Sequence, residues 1–238
     1  MAFKRRNRAL AADQPHHPPH TPAHPLERLI FFSDAVFAIA ITLLIIEIHA
    51  PHLPRSSSIH DQVQALANLI PHFIGFFISF WVIGAFWMGH HRAFSFARHW
   101  SPKLMFPNMA LLCAVAFIPF STSYMNSNMW QLVPTAFYCA MLMITGLLNI
   151  RLVHLATAAP VVDETADPLF IARIRARGWG VTSGAALALI VAFIDPVWSQ
   201  PSLITIPLFL RIALRLAERR HSGSQRTVAP FSGNIQGT

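Results

Sequence analysis

Charge is what this chain has least of. Asp, Glu, Lys and Arg make up 12% of its 238 residues while 54% are hydrophobic, and an ordinary globular domain is about 25% charged. So small a charged fraction excludes a soluble domain of ordinary surface, because the excess apolar side chains must face lipid or one another. Cysteine is nearly absent as well. Cys113 and Cys139 lie inside apolar runs without CxxC spacing, which excludes a disulfide framework and a cysteine zinc site and leaves both as core packing. No stretch alternates apolar and polar residues as a strand would, no Gly-rich phosphate loop follows a strand, and no two-fold repeat stands out. One all-α domain is the economical reading, with no cofactor or metal expected.

What the chain does have is apolar length. Six runs, at about 27–49, 64–90, 104–124, 131–155, 179–195 and 199–217, approach the roughly 20 residues a helix needs to cross about 30 Å of hydrocarbon. The last two are short and separated only by Asp195-Pro196, so a re-entrant hairpin stands there as the alternative to two spans. Residues 1–25 are basic and then rich in Pro and His, with no apolar h-region. They read as a disordered cytosolic tail rather than a signal peptide. Prolines between His16, His17, His20 and His24 prevent a helical ligand pair. Residues 26–220 then form the membrane domain and 221–238 a second disordered cytosolic tail.

The surplus of basic residues, 18 against 10 acidic, suggests nucleic acid until their positions are read. With six spans, 17 of the 18 fall on the side of both termini, and only Arg55 lies in the opposite loops. That asymmetry predicts a multi-pass protein of the cell membrane with cytoplasmic N- and C-termini. Anionic headgroups of the bilayer then account for the charge, and no nucleic-acid partner is needed.

The first run, LERLIFFSDAVFAIAITLLIIEI, places Ser33, Asp34 and Thr42 in an apolar helix. An ionisable residue there costs about 2.5–3.5 kcal/mol on insertion scales and calls for a partner. Arg28 lies roughly 120° around the helix from Asp34, which disfavours a salt bridge within the helix. The second run ends with Trp87, His90, His91 and Arg92, whose N–H groups can reach a carboxylate from a neighbouring helix. Seen from Ile39, Ala35, Thr42 and Ile46 fall within roughly 60° while Asp34 points about 140° away. This stripe suits a narrow apolar pore wall with Asp34 in the scaffold behind it. Ordinary helix packing, with Thr42 bonded to its own i−4 carbonyl, accounts for the same residues.

Arg28-Leu-Ile-Phe-Phe32-Ser33-Asp34 fits RxxxFSD, followed by AVFAIAITLL. Together with Trp87-Met-Gly-His90-His91-Arg-Ala-Phe94, Asn108-Met-Ala-Leu-Leu112 and Pro119-Phe120, it resembles the transmembrane protein 175 family of lysosomal and bacterial potassium channels. The likeness spans roughly 25–220 and is strongest over the first three helices. It implies a potassium-favouring cation channel, with passive conduction of potassium ions through a central pore lined by the first helix of a homotetramer. By position, Ile39 becomes the hydrophobic constriction, Thr42 the hydroxyl layer linked to selectivity and Ile46 a continuation of the pore wall. Arg28, Phe32, Ser33 and Asp34 with His90 or His91 become the network that holds the helix.

The chain lacks the TVGYG loop whose carbonyls replace a hydration shell. Selectivity then rests on pore width and hydroxyl oxygens, and a ring of Ile39 side chains can close the pore by dewetting. The rival reading is a proton-coupled cation transporter or proton pathway using Asp34 and the His90-His91 pair. An intramembrane enzyme is the third, disfavoured because adjacent histidines on a helix point about 100° apart.

Overall fold

Lipid offers an unpaired peptide group no partner, so apolar runs of this length must close their hydrogen bonds internally as helices. The computed structural model describes residues 25–162 and 166–228, with side chains through Ser222. It contains α1 (Pro25–Ile46), α2 (Ile59–Ala67), α3 (Ile70–Phe94), α4 (Met105–Ser127), α5 (Leu132–Ala156), α6 (Pro168–Ile194), α7 (Pro196–Ser202) and α8 (Ile206–Val228). Single 3-10 turns, Pro102–Leu104 and Leu203–Thr205, lead into α4 and α8. Six stretches are long and apolar enough to cross a bilayer: Pro25–Ile46, Ile59–Phe94, Pro102–Ser127, Leu132–Ala156, Pro168–Ile194 and Pro196–Ser222. The chain is therefore a polytopic α-helical protein, and its last two runs make two spans rather than a hairpin.

Element ends differ from the expected ones where polar residues lie on a helix. The second run is two helices. A capping box starts α2, with Asp61 N–H donating to Ser58 Oγ at 3.2 Å and Ser58 N–H to Asp61 Oδ2 at 3.0 Å. Its Ile59, Val63 and Leu66 share one uncovered face, the pattern of a helix lying along a membrane surface. Pro71 then opens α3, where its missing N–H costs nothing. Helix α6 starts eleven residues before the expected 179, because Asp167 caps it through Leu169 N–H at 2.9 Å and Pro168 sits at its first position. At the other end, α8 runs to Val228, into the stretch read as a disordered tail. The tails at 1–24 and 229–238 lie outside the described residues. Cys139 is buried and bonded to Ser199 at 3.3 Å, but Cys113 is exposed on α4, so only one cysteine packs the core.

Side-chain pairs fix the helix directions. Near one end of the bundle Asp34 of α1 meets Trp87 of α3, and Ser33 meets Asn108 of α4. Mid-depth, Ser79 of α3 bonds Thr122 of α4 at 2.8 Å and Tyr138 of α5 at 2.9 Å. Near the far end Asn126 of α4 reaches the His72 carbonyl of α3. Thus α3 runs opposite to α1 and α4. Helix α1 packs on α3 and α4, whereas α8 packs on α6 at the other side of the molecule.

The α6–α8 contact depends on glycine. A Cβ at Gly180 would lie 2.7 Å from Leu210 Cα and 3.0 Å from its backbone N, and no rotamer change moves a backbone. Close approach through small residues is how membrane helices gain packing. Gly180→Ala is expected to destabilise the fold by about 1–3 kcal/mol, read as a lower melting temperature in detergent, whereas Gly84→Ala, with open space at its Cβ position, is expected to leave it unchanged.

Candidate functional site on the first helix

Helix α1 has two faces set by its sequence. Leu26, Leu29, Ser33, Phe37, Ala40 and Leu44 recur every three or four residues and are buried, forming the seam against α3 and α4. The other face carries Phe32, Ala35, Ile39, Thr42 and Ile46 and is covered by nothing. Ile39 is 58% and Ile46 66% exposed. The Thr42 hydroxyl donates back to the helix, to the carbonyls of Ile39 at 2.9 Å and Ala38 at 3.1 Å. Its proton is therefore committed to the backbone, and only oxygen lone pairs face outward.

Behind the uncovered face, hydrogen bonds join three helices in one direction. His90 Nε2–H donates to Asn108 Oδ1 at 2.9 Å, Asn108 Nδ2–H donates to Ser33 Oγ at 3.0 Å, and Ser33 Oγ–H donates to the Leu29 carbonyl at 2.7 Å. Ser33, His90 and Asn108 are all fully buried. The Phe37 and Phe94 rings pack on the His90 imidazole, with centroids 5.6 and 4.5 Å away. His90 Nδ1 has no hydrogen-bond partner, which agrees with the tautomer protonated on Nε2.

Asp34 belongs to a separate contact. Its Oδ1 accepts from Trp87 Nε1–H at 2.9 Å, and the exposed His91 stacks on the Trp87 ring, centroids 5.5 Å apart. Of the six residues expected to form one network, Ser33 and His90 meet through Asn108, and Asp34 and His91 meet through Trp87. Arg28 and Phe32 lie on the exposed face, and Arg28 makes no hydrogen bond or ion pair among the described residues. Asn108 was quoted in the motif without a role. The signal that finds it is general: an amide in the middle of an apolar run has four hydrogen-bonding sites to satisfy.

Asp34 and His90 share no hydrogen bond, and no three His, Cys, Asp or Glu side chains converge as metal ligands among the described residues. What the site offers is an unpartnered stripe of branched and hydroxyl side chains on a helix locked from behind.

An all-α bundle whose first helix is anchored by intramembrane polar bonds defines a multi-pass membrane protein. Residues 28–119 match the family described as endosomal/lysosomal potassium channel TMEM175. A Streptomyces collinus protein named potassium channel B446_29190 is 31% identical over 174 residues, 71% of this chain and 82% of that one. The bovine endosomal/lysosomal proton channel TMEM175 is 34% identical over 98 residues, 39% of this chain and 20% of that protein. Among solved structures, the crystal structure of a lysosomal potassium-selective channel TMEM175 homolog from Chamaesiphon minutus matches with a TM-score of 0.67 at 27% identity, covering 79% of this chain and 97% of that one. The chain belongs to the TMEM175 family, a family of ion channels and not of enzymes.

Proposed function

We propose that the chain forms a potassium-favouring cation channel of the cell membrane, a homotetramer whose central pore is lined by α1. The observation that carries this reading is the uncovered stripe of Ile39, Thr42 and Ile46 on a helix whose opposite face is fully packed. A face that apolar is also at home in lipid, and membership of an ion-channel family favours the pore. Four copies meeting on this stripe bring four Ile39 side chains into a ring that excludes water. Just under one turn away, four Thr42 oxygens present lone pairs to a partly dehydrated cation. Ser33 with Asn108 and His90, and Asp34 with Trp87, hold α1 at the radius that sets pore width. Arg28 and Phe32, exposed near the start of α1, are available for contacts between subunits. The N- and C-termini are cytoplasmic, the side where the basic helix ends gather.

Proton conduction through the same pore is the second reading, favoured by the name of the bovine relative. Asp34 bonded to Trp87 and His90 bonded to Asn108 do not form a continuous relay, so protons moving by this route would follow pore water and not an Asp–His pathway.

Purified protein in liposomes under separate potassium, sodium and proton gradients tests the proposal. Passive potassium flux is expected to exceed sodium flux, and Thr42→Ala to reduce that ratio about three- to tenfold, a loss of about 1 kcal/mol of discrimination. Potassium movement that requires a proton gradient, and loses the requirement in a folded Asp34→Ala variant, would replace the channel by a coupled carrier.

A further inference from the structure

We infer that the cleft between α5, α6 and α8 is a binding site for one anionic phospholipid of the leaflet at the basic end of the bundle. The cleft has a volume of about 670 Å³ and is lined by His154, Arg175, Ala176, Trp179, Ala213 and Arg220 among others. It lies on the side away from α1, and the inference holds whether or not the pore reading does.

Arg175 supplies the anchor. Its Nε–H donates to Thr157 Oγ1 and its Nη2–H to the Thr157 carbonyl, both at 2.8 Å, so a half-buried guanidinium is held in one orientation with donors to spare. Among the described residues no carboxylate pairs with it. The ion pair of this region, Arg173 with Glu218 at 2.9 Å, leaves Arg175 and Arg220 without counter-charge among the described residues. A guanidinium fixed by neutral oxygens, with a second arginine lining the same cleft, suits the forked recognition of a phosphate.

Depth assigns the phosphate to a lipid. Asp195 ends α6 at the opposite face, and the twenty residues back to Arg175 span about 30 Å, the thickness of the hydrocarbon. Arg175 thus lies where headgroup phosphates lie, and Trp179, one turn deeper and 50% exposed, takes the interfacial place of tryptophan. Trp179 and Ala213 line the cleft deeper than both arginines, an apolar floor that fits an acyl chain and has no use for a free anion. Basic pockets between helices at this level are a known means of holding lipid headgroups.

Native mass spectrometry of the full chain in detergent, with phosphatidylglycerol or phosphatidylcholine added, reads the bound lipid directly. Phosphatidylglycerol is expected to be retained at least tenfold better, and Arg175→Gln and Arg220→Gln each to weaken its retention about fivefold, while Arg55→Gln on the opposite face changes nothing. Arg220 makes no hydrogen bond among the described residues, so its variant keeps the test informative if Arg175→Gln loosens Thr157. Equal retention of the two lipids, or an Arg220→Gln protein that binds phosphatidylglycerol as the parent does, overturns the assignment. So does inorganic phosphate raising the melting temperature as much as phosphatidylglycerol, which would make this a free-anion site.

Discussion

Asn108→Ala is expected to lower the stability of the folded protein by about 2–3 kcal/mol, measured as a fall in melting temperature in detergent. The substitution leaves the His90 Nε2–H without an acceptor at a position with no solvent, which costs about 1–3 kcal/mol, and adds the loss of packing around the missing amide. Ser33 suffers less, because its own hydroxyl proton still goes to the Leu29 carbonyl. The asymmetry gives the prediction its sharper form. If the cost is an orphaned donor, removing the donor as well should recover part of it, so His90→Phe with Asn108→Leu is expected to be more stable than Asn108→Ala alone. A double variant whose loss is the sum of two single losses would show that the chain of bonds from His90 to Leu29 does not act as a unit.

This junction also shows what the sequence made legible and what it hid. Asp34 announced itself because a carboxylate in an apolar helix demands a donor, and Trp87, among the candidates at the end of the second run, supplies it. The role of Asn108 depends on α1, α3 and α4 meeting at one depth, and spacing within a single helix carries no such information. Helix ends were lost for a related reason. Hydropathy marks where a chain is apolar, while α6 and α8 continue past the apolar stretch into arginine-bearing turns. At the start of α6 local chemistry was the better guide, since Asp167-Pro168 is a cap followed by a first-turn proline. The break between α2 and α3 at Asn68-Leu69 left little trace, because a proline at the second position of α3 reads equally as an interruption within one long helix.

The uncovered face of α1 leads to the second large effect. Ile39→Asn is expected to raise passive potassium flux at least tenfold in liposomes, with Ile39→Val close to the parent. In the proposed tetramer four Ile39 side chains form the narrowest ring, and the barrier there is the cost of wetting an apolar constriction. A polar side chain of similar size lets water, and with it a hydrated cation, remain in the ring. Each 1.36 kcal/mol removed from the barrier is a factor of ten in rate, and charged groups in an apolar membrane environment cost about 2.5–3.5 kcal/mol on insertion scales, so tenfold uses only part of the available range. The same substitution separates the pore face from a lipid face. Within one chain Ile39 is 58% exposed and lies outside the hydrophobic core. On a pore face, asparagine therefore leaves the melting temperature within error while flux rises. On a lipid face, asparagine is placed in hydrocarbon, so stability falls and flux does not change. Each placement moves one readout and leaves the other unchanged, and one variant measured both ways decides between them.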